Sequence, residues 1–329
     1  MNRRECVNNI RPVELVFGGV FLLLSTSRLV YRRLHIFGQM QLTATHDIAT
    51  TSPRGGHRYS TSDEMLYILY GVGDQFSMYD QQLADYIRSQ VSKPSATRPS
   101  RLSRLQKNVS SQANQSVFVD KLLSGRRNGF FIECGAADGQ AFSNSLFFEL
   151  KRNWTGLLIE ANPEFHRALL EKNRRAYVLG SCLSTERRPA TVHMQPAGVL
   201  GGIADKIHQS HLVFIGSNMK SEVAVNCFPL NAIMAALGVS HVDYLSLDVE
   251  GPELEILRTI DWTRLRIDVI TVEYRIYGGF VIGIDKTATL KKLKDLRQFF
   301  HDTGVYREAA LLPSGSSDIT GLDVVFSRI

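Results

Sequence analysis

Acidic side chains close several short apolar runs of this 329-residue chain, and glycine follows two of them. The first is ECGAADG at 133–139, where Glu133 ends a run of apolar residues and Gly135 and Gly139 leave room for a ligand beside the backbone. The second run, GLLIEA, ends in Glu160, twenty-one residues beyond Gly139, where a carboxylate can accept both hydroxyls of a ribose. The third is SLDVEGPELEIL at 246–257, which places Asp248 and Glu250 on alternate residues at a strand exit. Glu273 closes a fourth run, DVITVEY.

These residue types suit a nucleoside ligand that carries no phosphate. The glycine turn lacks the full G-x-G-x-x-G spacing that cradles a pyrophosphate, yet the ribose-binding acid is in place. S-adenosyl-L-methionine (AdoMet), with a ribose and an adenine but no phosphate, fits that pair better than NAD. The glycine turn, with Gly135, Ala136 and Gly139, and the acid Glu160 are the cofactor contacts these residues suggest. Asp248, Glu250 and Glu273 are the candidate general bases for a hydroxyl acceptor. The acids at 248 and 250 have three further uses open to them: orienting the acceptor, holding an amino group, or binding a divalent metal. No metal ligand is assigned. Glu253 and Glu255 read as ornaments of a helix start that favours negative charge. His208 and His211, in a glycine-rich insertion, are alternative bases, although a lone loop histidine is more often solvated.

The elements that must position these residues alternate as in a parallel sheet. FFIEC, GLLIEA, AYVLGSC, DYLSLDV and DVITVEY read as strands, with amphipathic segments between most of them. A last strand at 322–326 ends the chain without a helix after it. Pro252 suits the first turn of the helix that follows Gly251. Upstream, residues 62–90 show helical spacing at Leu66, Leu69, Leu83 and Ile87, with Ser62 or Asp63 as cap. Residues 92–116, rich in Ser, Arg and Pro, read as an irregular basic connector.

The net charge of +6 would suggest nucleic acid if it lay on the working domain. It does not: residues 129–329 hold 21 Lys and Arg against 23 Asp and Glu, whereas residues 88–128 hold nine basic residues and only Asp120 as an acid. No nucleic-acid partner is expected. The four cysteines are too few and too irregularly spaced for a scaffold or zinc cluster, and buried free thiols are the ordinary expectation. Cys182 and Cys227 are the pair to examine for a bridge if the domain occupies an oxidising lumen. Three Asn-x-Ser/Thr sequons, at Asn108, Asn114 and Asn153, suit such a compartment, though chance would supply about two.

Near the N-terminus, residues 13–30 are largely apolar, and the clean centre at 15–27 is shorter than a typical span. The segment reads as a short signal-anchor, as a cleaved signal peptide, or as an amphipathic helix. Arginines flank both ends, so the charge sets no orientation.

The succession ECGAADG, SNSLFFE, NWTGLLIEANP, CLS and DYLSLDVEGPELEIL resembles the FkbM-type methyltransferase family, and within it the animal Star-like branch, over about residues 80–329. The resemblance implies an α/β Rossmann-like class I AdoMet methyltransferase fold with a mostly parallel sheet and an antiparallel C-terminal strand. It implies AdoMet contacts for Glu133, Gly135, Asp138, Gly139, Glu160 and Asp248. It divides the chain into a short tail and signal-anchor at 1–37, a stem with a docking helix and basic linker at 38–116, and the methyltransferase domain at 117–329. A type II membrane protein of the ER, Golgi and endosomes with a lumenal C-terminal domain follows, or a secreted protein after signal cleavage. For such an enzyme the acceptor is a small molecule or glycan that receives a methyl group on oxygen. The other reading is a non-catalytic membrane protein that assists trafficking of transmembrane growth-factor precursors, with a transmembrane protein as cargo. A glycosyltransferase, suggested by the anchor-and-stem layout, would need an Asp-x-Asp metal motif that the sequence lacks.

Overall fold

The computed structural model describes residues 77–95, 97, 100–102, 111, 113–278, 283–312 and 321–329. The tail and signal-anchor, most of the stem, the Ser62 or Asp63 cap and the Asn108 sequon lie outside the described residues. Among the described residues no helix is long and apolar enough to cross a membrane.

The principal sheet has eight strands in the order β1 (Val91–Ser92), β4 (Tyr177–Leu179), β3 (Thr155–Ile159), β2 (Phe130–Cys134), β9 (His241–Leu247), β10 (Arg266–Glu273), β14 (Asp323–Arg328) and β13 (Tyr306–Leu312). From β4 to β10 all neighbours run parallel, and β14 inserts antiparallel between β10 and β13. The chain order reverses between β2 and β9, so both meet at the topological switch point where doubly wound sheets bind ligands. This is the Rossmann-like methyltransferase arrangement expected from the sequence, final antiparallel strand included.

Alternation along the strands feeds two cores. Ile132 and Cys134 of β2, with Leu245 and Leu247 of β9, belong to one, while Phe131 and Tyr244 belong to the other. Both faces are covered, as a parallel sheet requires. Helix α1 (Gln81–Gln90), capped by the Asp80 carboxylate at the amides of Gln82 and Leu83, buries Leu83, Ala84 and Ile87 and packs against α6 (Leu230–Leu237). Helix α2 (Gln115–Leu122) leads into β2, and α3 (Leu146–Arg152) joins β2 to β3.

Three expectations need correction. AYVLGSC is not one strand: β4 stops at Leu179, and after Gly180 and Ser181 the chain starts β5 (Cys182–Leu183) in another sheet. Gly180 packs so closely that an added Cβ would stand 2.6 Å from the His166 ring of α4 (Pro163–Lys172). The connector read as irregular begins with β1, which pairs antiparallel with β4 at the edge of the principal sheet. The second sheet, in the order β5, β8 (Val223–Phe228), β6 (Ala190–Gln195), β7 (Gly202–Ile203), was not anticipated. Its strands are separated by helix α5 (Gln209–Ile215) and long loops, so no local pattern announces their pairing. A disulfide between Cys182 and Cys227 ties β5 to β8, which overturns the free-thiol expectation for that pair. Cys134 is free and buried.

Candidate functional site

Three left-handed residues shape the turn after β2: Gly135 at φ +79°, Ala137 at +46° and Gly139 at +74°. Gly135 is required for a second reason, because a Cβ there would fall 1.8 Å from the Asp248 carbonyl oxygen. The two strand exits touch backbone to backbone. The Asp248 amide also donates to the Cys134 carbonyl at 3.2 Å.

One cavity of about 340 Å³ opens at this junction, a size within the usual small-molecule range. Glu133, Gly135, Ala136, Glu160, Asp248, Glu250 and Glu273 all line it. Asp138 and Gly139 do not: the Asp138 carboxylate accepts the amides of Gln140 and Ala141 and pairs with Lys172 at 3.0 Å, while the Gly139 carbonyl accepts from Arg174 at 2.5 Å. They build the turn from behind.

Each acid on the wall has its own electrostatics. Glu133 accepts the Asn144 amide at 2.7 Å and the hydroxyls of Ser143 and Ser145, so it pins the segment entering α3. Glu160 accepts the amides of Ala137 and Asn162, one on each oxygen at 2.7 Å, and keeps further lone pairs beside the cavity. Burial outweighs those amides and pushes its carboxyl up to about 7.

Asp248, Glu250 and Glu273 converge, with one carboxylate oxygen from each within 4.8 Å of the others. Burial raises Asp248 to about 6, and burial together with the Asp248 charge raises Glu250 and Glu273 well above the ordinary carboxylate range. Glu250 is held at φ +61°, a conformation uncommon for a non-glycine residue, and Gly251 follows with its Cα 's missing Cβ position 2.6 Å from the Lys206 carbonyl. His211 on α5 is buried, its Nδ1 3.4 Å from Glu250 Oε2, and burial lowers its pKa to about 4. It is therefore not the solvated loop histidine expected, whereas His208 caps α5 at the Ser210 amide.

Glu253, at the start of α7 (Glu253–Thr259), is likewise no surface ornament. It is fully buried, accepts the amides of Val249 and Gly251, and holds Lys292 of α8 (Lys286–Thr303) at 2.6 Å. Glu255 does lie at the surface and pairs with Lys206 at 2.8 Å. The remaining wall comes from the insertions: Met194 and Val225 of the second sheet, the loop 198–201 with β7, Phe214, and Tyr277 of β11 (Tyr277–Gly278), which pairs antiparallel with β12 (Gly283–Ile284). Their apolar types gave no signal above that of ordinary core residues.

The family model for the methyltransferase FkbM domain matches residues 133–305, which take in the glycine turn, Glu160 and the carboxylate trio. The chain belongs to this family. No curated protein matches it significantly. Among solved structures, a putative rRNA-methylase from Clostridium thermocellum matches at 10% identity and a TM-score of 0.36, covering 68% of this chain and 100% of that one. The precorrin-6y C5,15-methyltransferase from Geobacter metallireducens GS-15 matches at 13% identity and a TM-score of 0.33, covering 70% and 94%. The strand order and the family match, not these distant likenesses, carry the fold assignment.

Proposed function

We propose that this FkbM-family chain is an AdoMet-dependent methyltransferase that transfers a methyl group to an acceptor oxygen. The observation that carries the reading is the meeting of Gly135, Glu160 and the Asp248–Glu250–Glu273 trio on one cavity. The residues fit the cofactor: Ser181 Oγ and Asn144 Oδ1 are buried on the cavity wall without a partner, and Gly135 keeps the strand exits in contact. When bound, AdoMet supplies a sulfonium-activated methyl group. Glu160 holds the ribose hydroxyls through the lone pairs that the two amides leave over. Five carboxylates on the wall favour a cationic ligand. Asp248, the least raised of the three acids at the strand exits, would take up the acceptor's hydroxyl proton, with Glu250 and Glu273 beside it. The wall from the second sheet and Tyr277 excludes water and sets the acceptor's orientation.

The Cys182–Cys227 bridge supports an oxidising compartment, and with it a lumenal domain in the secretory pathway acting on a small molecule or glycan. Equilibrium dialysis of the full chain with labelled AdoMet tests the donor assignment. Micromolar affinity is expected, with a loss of at least tenfold in Glu160→Ala. Undiminished binding by that variant would remove Glu160 from the site and the reading with it.

A further inference from the structure

Two clusters of three side chains converge closely enough to hold an ion, and in one of them arginines already pair with the acids. Asp243 and Asp268 share Arg126, and Arg266 and His241 reach Asp268. Asp248, Glu250 and Glu273 have no such clamp among the described residues. Lys292 is held by Glu253 at 2.6 Å and its charge only partly offsets the rise of the three acids, while the basic side chain in contact with the trio is His211, 3.4 Å from Glu250.

The wall carries further unsatisfied oxygens. Glu273 Oε2 is buried without a partner. Independently of the trio, Asn144 is 6% exposed, donates its Nδ2 to Ser246 Oγ at 2.9 Å, and leaves its Oδ1 without a partner on the same cavity wall. Carboxylate and amide oxygens, with no sulfur and no histidine in the trio, form a donor set for a hard divalent cation. His211 beside Glu250 is the kind of outer contact that orients a ligating carboxylate.

We propose that Asp248, Glu250 and Glu273 form a divalent-cation site, for Mg²⁺ or Mn²⁺, on the wall of the methyl-transfer cavity. The sequence left metal binding open for Asp248 and Glu250 and assigned no ligand; the three acids are here given that role. The role of the ion rests on the methyltransferase reading; its binding does not. The ion holds an acceptor oxygen and lowers the pKa of its hydroxyl. With the ion bound, the trio's oxygens are ligands and no longer the base, so the proton leaves to solvent, and the resulting oxyanion would form the bond to the methyl group as the carbon–sulfur bond breaks, leaving a neutral thioether. An acceptor with two neighbouring oxygens, such as a vicinal diol or a hydroxy acid, is the class such an ion selects.

Electron paramagnetic resonance of free Mn²⁺, titrated with chelator-stripped full chain, reads the site without an acceptor. One Mn²⁺ per chain is expected, displaced by Mg²⁺, with affinity at least tenfold weaker in Glu273→Gln and in Glu250→Gln. Asp268→Asn, at the other trio, leaves binding unchanged. Circular dichroism verifies that each variant is folded. Absence of bound Mn²⁺ at millimolar concentration, or binding indifferent to both glutamine variants, overturns the proposal. AdoMet dialysis in chelator separates the two readings: AdoMet binding without Mn²⁺ uptake sinks the cation site alone, and Mn²⁺ uptake without AdoMet binding sinks the donor assignment alone.

Discussion

Strands β9 and β10 carry acids at both ends, and the two ends have been treated in opposite ways. At their starts Asp243 and Asp268 share Arg126, while Arg266 and His241 reach Asp268 at 2.9 and 3.1 Å. Burial works against the Asp268 charge, but hydrogen bonds from Arg126, Arg266 and His241 carry its pKa down to about 2. At the other ends burial drives Asp248, Glu250 and Glu273 upward, and the Asp248 charge adds to the rise of Glu250 and Glu273. Acids that serve the fold are supplied with cations by the chain; acids left without them are kept for something that arrives. A perturbed cluster in a cleft is the physical sign of a functional site.

Removing the cation from the satisfied end is the largest blow to that contrast. Arg126→Ala leaves two buried carboxylates facing each other and is expected to cost about 2–3 kcal/mol, less than a fully buried pair because Arg126 reaches solvent. Urea denaturation measures it. The mirror experiment has the opposite sign: Glu273→Gln removes a charge the fold disfavours, so stability at pH 8 rises by about 1 kcal/mol. Equal destabilisation by both changes would erase the distinction between the ends.

The pH profile reads the two kinds of acid separately. Asp268, lowered in the fold, supplies stability that is fully present above its ordinary value of 3.8 and lost as the pH falls toward 2. Glu160, raised to about 7, supplies stability that is present below its ordinary 4.5 and lost as the pH rises through 7. Asp268→Asn should flatten the acid limb, and Glu160→Gln the neutral one, in urea titrations from pH 2 to 8.

The same contrast explains what was legible in the sequence. The parallel strands and the acids of the cavity follow from local signals, namely short apolar runs, turn glycines and acids at strand ends, while the antiparallel ending was implied by the family resemblance. Partners distant in the chain were not legible. Arg126 meets Asp243 across 117 residues, Cys182 meets Cys227 across 45, and Lys292 finds Glu253 only because α8 folds back over α7. Glu253 and His211 were misread for that reason, since burial depends on what packs over a residue and not on its neighbours in sequence. Asp138 and Gly139 show the converse: a motif position can be structural although adjacent residues reach the ligand cavity.

Calorimetry of AdoMet titrated into the full chain at pH 6.5, in two buffers of different ionisation enthalpy, tests the central claim most directly. A cation entering among carboxylates of raised pKa must drive protons off them, so micromolar binding with net proton release is predicted. Millimolar AdoMet without heat, or binding with no proton exchange, would contradict the account.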